Sequence, residues 1–214
     1  ENNLKKLEDL KDDSKSAMEI FPTQPTFYYF NGYANSRLGN YQDAVFSLNI
    51  GKELVIKDHF LLAEFHQLLG DVYHELDNHD LSDLNYDLSL EHHPNNPFVL
   101  NNYSYNLALR RDSLDKAQIM IQRAIELNAE NSNYLDTYGW ILFLQKKYND
   151  SEFWLLKAID FGGAKNGTIL EHYGDVLYKL NKKTAALEYW ELARENNNNS
   201  SVLIQKINLK KYIE

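Results

Sequence analysis

The 214-residue chain contains no cysteine, which removes disulfides, thiolate metal ligands and thiol nucleophiles while leaving the compartment open. Only four prolines interrupt it, so long helices have room. Apolar runs are short: Trp140 to Leu144 is among the longest, far below the ~20 residues that cross a bilayer as a helix. Positive charge is the minority sign, with 22 Lys and Arg against 31 Asp and Glu, a net charge of −9 and a pI near 5.3. Nucleic-acid grooves are basic because phosphate neutralisation dominates their affinity, so nucleic acid is not an expected partner. The signatures of common reaction sites are missing as well. There is no phosphate-cradling glycine loop, no G-x-S-x-G elbow and no H-E-x-x-H pair of metal ligands. The expectation is a chain that is not an enzyme and has no cofactor or metal.

What is present is repetition. Small residues Gly32, Gly70, Ser104, Gly139 and Gly174 recur at intervals of 38, 34, 35 and 35 residues. Each is followed by a second small residue (Ala44, Ser82, Ala117, Ser151, Ala186) and a third (Gly51, Ser89, Ala124, Ala158, Ala193). A fixed period in this range predicts stacked helical hairpins, and such arrays present binding surfaces more often than reaction vessels. Small side chains at this spacing let paired helices approach closely, while large ones such as Leu69, Tyr73, Tyr86 and Leu90 fill the space between. Pro94 closes one unit, and Asn95-Asn96, Gly162-Gly163 and Asn196 to Asn199 read as joints.

At these residues the chain resembles the tetratricopeptide repeat (TPR) proteins, whose unit is a 34-residue helix–turn–helix. The likeness is carried by Leu69-Gly70-Asp71-Val72-Tyr73 with Pro94, by Tyr138-Gly139-Trp140 with Tyr148, and by Tyr173-Gly174-Asp175 with Ala186 and Ala193. The stretch from Leu100 to Ile159 is similar to repeat proteins of the bacterial cell envelope in particular. The resemblance implies an all-α, right-handed superhelical solenoid with a C-terminal capping helix, forming a single domain over residues 1–214. The expected divisions are a partial leading repeat at 1–24, repeats at 25–62, 63–96, 97–131, 132–166 and 167–199, and a capping helix at 200–214. Two departures read as loop changes: four extra residues at about His59 to Leu62, and one in the turn after Ser104, where glycine is usual.

In this family the first helix of each repeat lines a concave groove. Carried onto this chain, the resemblance implies a partner-binding groove of Tyr29, Tyr33, Glu64, Asp71, His74, Phe98, Asn101, Tyr105, Asp136, Trp140, Phe143, Glu171, Asp175 and Tyr178. Thr26, Ser36, Gln67, Ala108, Asn133 and Thr168 fall at equivalent positions. The set is aromatic and acidic at once. Aromatics anchor interfaces, and the carboxylates favour a protein or peptide segment carrying basic and apolar residues. The family's carboxylate-gripping basic clamp has few candidates here, namely Asn101, Asn102, Arg37 and Lys179. Packing between neighbouring helices is the competing reading for about half of the aromatics.

Other features read as structural. His92-His93 are adjacent on a helix end, so their side chains point about 100° apart and ligate one ion poorly. Asp80, Asp83, Asp87 and Glu91 form a solvated stripe without calcium-loop geometry. Trp154 and Trp190 fall at inward positions, as core, and the triplets Asn102-Tyr103-Ser104 and Asn166-Gly167-Thr168 carry little weight in an Asn-rich chain. The segment from about Leu4 to Ile20 reads as the second helix of an earlier repeat, and with Glu1 in first place implies that more chain lies upstream. Ser201 to Ile213 reads as an amphipathic cap with Leu203, Ile207 and Leu209 inward and Lys206, Lys210 and Lys211 outward. The expected function is a protein–protein scaffold or adaptor in a bacterial envelope assembly, periplasmic or anchored through an upstream segment, with the cytoplasm also compatible. The alternative is an accessory domain of a larger enzyme or secretion complex. The partner's identity and the oligomeric state are not legible.

Overall fold

The computed structural model describes residues 2–213. Among them are twelve α-helices, one 3-10 turn (Gly163–Lys165) and no strand. The helices are α1 (Asn2–Ile20), α2 (Pro25–Arg37), α3 (Tyr41–Glu53), α4 (His59–Glu75), α5 (His79–His92) and α6 (Pro97–Arg110). They continue with α7 (Leu114–Leu127), α8 (Ser132–Leu144), α9 (Tyr148–Asp160), α10 (Gly167–Lys179), α11 (Lys183–Glu195) and α12 (Ser201–Leu209). Two compact units divide the chain, the first ending at Val99 and the second beginning at Leu100.

Four of the five hairpins are closed by the same contact. A Cβ added at Gly32 would fall 2.5 Å from Leu48, at Gly70 2.8 Å from Tyr86, at Gly139 2.6 Å from Leu155 and at Gly174 2.5 Å from Trp190. The large residue always lies sixteen positions after the glycine, on the second helix of the same hairpin. Where the second helix offers serine instead of alanine, the hydroxyl adds a clasp. Ser82 Oγ donates to the Gly70 carbonyl at 2.8 Å and Ser151 Oγ to the Gly139 carbonyl at 2.7 Å. In the third hairpin Ser104 Oγ reaches the carbonyls of Leu100 and Ala117 at 2.7 and 3.0 Å.

The turns repeat too. The first helix of each hairpin ends in a left-handed residue: Gly39, Asp77, Arg111, Lys146 and Asn181. The next residue's N–H bonds a carbonyl five positions back, as from Asn78 to Tyr73 at 2.9 Å and from Lys147 to Leu142 at 2.9 Å. This is the Schellman termination, which satisfies carbonyls that the helix leaves without partners. The extra residue of the third turn is absorbed by a second left-handed residue, Ser113. Side-chain caps start the helices: Asp58, Asn78, Asn131, Asn166 and Ser200 each accept a backbone N–H from the first turn that follows.

The four residues expected as a loop insertion at His59 to Leu62 are instead helical. They lengthen α4 to 17 residues, against 13 or 14 in α2, α6, α8 and α10. The Asp58 cap and a continuous apolar pattern through Leu61, Leu62 and Phe65 make another helical turn the lower-energy outcome.

In the first unit the core gathers Ala44, Leu48, Phe65, Leu68, Leu69 and Val72. A buried polar knot joins α1 to α2: Asn31 Nδ2 donates to the Lys11 carbonyl at 3.0 Å and to Ser14 Oγ at 3.2 Å, and Asn31 Oδ1 accepts from Ser47 Oγ at 2.7 Å. In the second unit the main cluster centres on Trp190 and collects Phe143, Leu155, Leu170, Tyr173, Val176, Leu177, Leu203 and Ile207. Burying large side chains at roughly 25 cal/mol per Å² is the principal stabilising force in both units. Trp190 is core as expected, whereas Trp154 is half-buried beside Leu135, Ala158 and Ile169.

The capping helix departs from its expected face. Lys206 is only 3% exposed, while Leu209 is 63% exposed. Position 206 lies one helical turn from the inward Leu203 and beside Ile207, so helix geometry carries it inward whatever its charge. Leu209 ends the helix, and Lys210 turns left-handed after it.

Candidate partner-binding surface

The residues expected to line a groove sit on α2, α4, α6, α8 and α10, the first helices of the hairpins. In the first unit, Tyr29 is half-buried with its ring edge-on to Phe65 at 5.4 Å. Its hydroxyl donates to Glu64 Oε2 at 3.4 Å, and burial together with that carboxylate pushes the phenol up to about 12. Tyr33 is half-buried under the Arg37 guanidinium, 5.5 Å from the ring centroid. Asp71 accepts from Tyr86 Oη at 2.6 Å, and Gln67 accepts from Asn96 Nδ2 at 3.0 Å. The His74 ring lies 6.2 Å from that of His79, Ser36 is half-buried and Thr26 is exposed. Phe98, at the start of α6, is 61% exposed.

In the second unit, Asn101 is half-buried and donates to Asn102 Oδ1 at 3.3 Å. Tyr105 is half-buried, and burial raises its phenol pKa, with Asp136 and Glu171 adding to the rise. Trp140 stacks on His172 at 4.1 Å and on Phe143 at 4.8 Å, with interplanar angles of 15° and 11°. Ala108 and Phe143 are buried; Asn133 and Thr168 are exposed. Tyr178 is half-buried against Trp190 at 5.7 Å.

Asp136, Glu171 and Asp175 each have a basic partner within the chain. Asp136 accepts from His172 Nδ1 at 2.9 Å. Burial works against charging this imidazole, but Asp136, with Asp175 and Glu171 behind it, holds the His172 pKa above the ordinary histidine value. Glu171 Oε1 and Asp175 Oδ2 each accept from Lys206 Nζ at 2.7 Å. Asp175 Oδ1 also accepts from Trp190 Nε1 at 3.0 Å. Burial lifts the Asp175 carboxyl to about 6, against the pull of Lys206. Tyr212 completes this cover: its ring lies 5.8 Å from Phe143, with Lys179 Nζ 3.9 Å from its centroid. The carboxylates expected to face a partner at α8 and α10 are therefore engaged within the chain by His172 and by the C-terminal helix. What stays accessible there is aromatic and amide surface. The signal for Lys206 was present in the sequence as its helical register against Leu203 and Ile207.

A recess of about 440 Å³ is lined by Lys165, Asn166, Gly167, Thr168, Asn196, Asn197 and Asn198. It lies between the start of α10 and the asparagine-rich joint that follows α11. No group of three or more His, Cys, Asp or Glu among the described residues has the arrangement to hold a metal ion. No described helix is long and apolar enough to cross a membrane.

No protein-family model matches the chain. One stretch is 34% identical over 82 residues to a TPR repeat-containing protein of Pseudomonas aeruginosa, covering 37% of this chain and 14% of that relative. The chain thus spans a small part of the relative's length. Among solved structures, Pseudomonas aeruginosa pilF is similar with a TM-score of 0.70 at 20% identity, over 94% of this chain and 86% of that one. A chain of the APC/C hetero-tetramer Cut9–Hcn1 gives 0.82 at 12% identity over 97% of this chain and 39% of that one. YrrB, described as a TPR protein with an unusual peptide-binding site, gives 0.67 at 14% identity over 91% and 97%. The repeating small-on-large helix contact, the recurring turn and these likenesses agree: the chain has the tetratricopeptide repeat fold.

Proposed function

We propose that this chain is a protein-binding scaffold that holds a peptide or protein segment against the first helices of its hairpins. The observation that carries this reading is the run of half-buried aromatic rings on those helices, Tyr29 and Tyr33 in the first unit and Tyr105, Trp140 and Tyr178 in the second. Tyr29, Tyr33, Trp140 and Tyr178 pack against the buried clusters while remaining partly exposed, which gives large contact area at a low cost in conformational entropy. The likeness to YrrB, a protein described as binding peptide, points the same way.

Pairing of Asp136, Glu171 and Asp175 inside the chain changes the expected ligand. Around α8 and α10 a segment rich in apolar and amide groups fits better than a strongly basic one. A role within a bacterial envelope assembly is part of this proposal and rests on the sequence resemblance over Leu100 to Ile159.

Affinity capture from the source organism's extracts, read by mass spectrometry, tests the location of binding. A Tyr33→Ala/Tyr105→Ala variant with unchanged helical circular dichroism is expected to lose the partner. An Leu84→Ser/Ile119→Ser variant, altered at exposed positions of the second helices, is expected to keep it. The reverse pattern would sink the first-helix reading.

A further inference from the structure

Histidine is distributed unevenly in this chain. Of its seven histidines, six lie from His59 to His93, on the hairpin α4–α5 and the residue that follows it. The adjacent pair His92-His93 is a poor chelate, as its spacing predicts. The fold instead brings His92 to His59, across the hairpin: their Nδ1 atoms are 3.2 Å apart, with ring centroids at 5.3 Å. His59 belongs to the four additional residues that lengthen α4, so the turn that distinguishes α4 from the other first helices is what creates this contact. A second rung lies beside it. Phe60 faces His93 at 5.5 Å, and His93 Nδ1 is enclosed without a hydrogen-bond partner. His66 stacks on His92 at 6.2 Å, while its own Nδ1 is held by Asn85 Oδ1 at 2.9 Å.

Two imidazole nitrogens bound to one zinc ion at about 2.0–2.1 Å stand roughly 3.3 Å apart in a tetrahedron, and about 3.0 Å apart as neighbours in an octahedron. The 3.2 Å between His59 and His92 lies within that interval. A hydrogen bond between the rings also accounts for the distance, but it needs only one proton between the nitrogens and no concentration of further histidines. From this geometry we infer that His59 and His92 form a two-histidine chelate for a borderline transition cation such as Zn²⁺, Ni²⁺ or Cu²⁺. Solvent completes the coordination. Imidazole ligands select this group of metals over Mg²⁺ and Ca²⁺, which take oxygen. Bound there, the ion ties the first turn of α4 to the last turn of α5 and closes a stretch of 33 residues, so binding also stabilises the hairpin.

Calorimetric titration of the untagged full chain with ZnCl₂, paired with thermal unfolding, tests the site. One saturating equivalent and an upward Tm shift are expected for the native chain. His59→Gln and His92→Gln are each expected to weaken binding at least tenfold, while His79→Gln, at the opposite end of the hairpin, retains it. Failure of the native chain to bind saturably overturns the inference and leaves a hydrogen bond between the rings. Binding that survives both the His59→Gln and His92→Gln changes, or that is lost with His79→Gln alone, overturns it equally.

Discussion

Replacing Lys206 by methionine keeps most of the buried aliphatic stem and removes the ammonium that Asp175 and Glu171 share. The Asp175 side chain is 2% exposed, and the substitution leaves it only the Trp190 indole N–H. Removing one partner of a buried ion pair costs on the order of 3–5 kcal/mol because the remaining charge is uncompensated. The loss is pH-dependent, with a definite sign. Asp175 already sits at about 6 in the folded native chain, above the ordinary carboxyl value, and Lys206 is the strongest influence holding it down. A folded pKa above the unfolded one means that the folded state binds the extra proton, so stability falls as pH rises through that window. For the native chain the rise to about 6 corresponds to about 3 kcal/mol lost between pH 4 and pH 7. Without Lys206 the carboxyl rises further, so the deficit of the variant relative to the native chain is small near pH 5 and grows toward pH 8. Urea unfolding followed by circular dichroism at those two pH values measures it. The double change Lys206→Met/Asp175→Asn removes the charge while leaving an oxygen for the indole, and should recover most of the loss. A deficit below about 1 kcal/mol at pH 8, or one equal at both pH values, would refute the argument that Lys206 compensates a buried charge.

Gly174→Ala places a methyl group 2.5 Å from Trp190 Cδ1 and 3.1 Å from the Ala186 carbonyl, beside the fully buried Trp190. Overpacking costs about 1–3 kcal/mol, and helix propensity returns up to about 1, so a net loss with a lower Tm is expected by calorimetry. The turn residues should respond with opposite signs. Gly39→Ala forces a methyl group onto a backbone at φ 78° and destabilises by about 1 kcal/mol, whereas Lys146→Gly relieves a left-handed lysine at φ 63° and stabilises by a similar amount. Chemical denaturation of the two variants side by side checks the pair; like signs would show that the turn conformation does not set their stability.

The small-residue ladder was legible in the sequence because it answers to geometry that every hairpin shares. A helix pair crosses closely only where one backbone lacks bulk, so Gly32, Gly70, Gly139 and Gly174 announce the crossings before any coordinates are seen. The partners sixteen residues on follow from the same repeat. The recurring left-handed turn was less visible, since only Gly39 signals it by residue type. Asp77, Arg111, Lys146 and Asn181 adopt the conformation because the flanking helices impose it. For the candidate surface, the sequence ranked residues by position on the first helices and by charge. It could not show that three of the carboxylates are already engaged within the chain.

The sequence by itself determined the all-α class and the hairpin period, because these depend on spacing along one chain and on the dimensions of a helix. Only the tertiary structure decided which charges remain available and which histidines meet. Lys206 reaches Asp175 across 31 residues, and His59 reaches His92 across 33. Contacts of that separation depend on how whole helices are set against one another, on a single extra turn of α4 and on the face α12 presents. Charge and local periodicity carry no record of either, since a buried ammonium and a solvated one are spelled by the same residue.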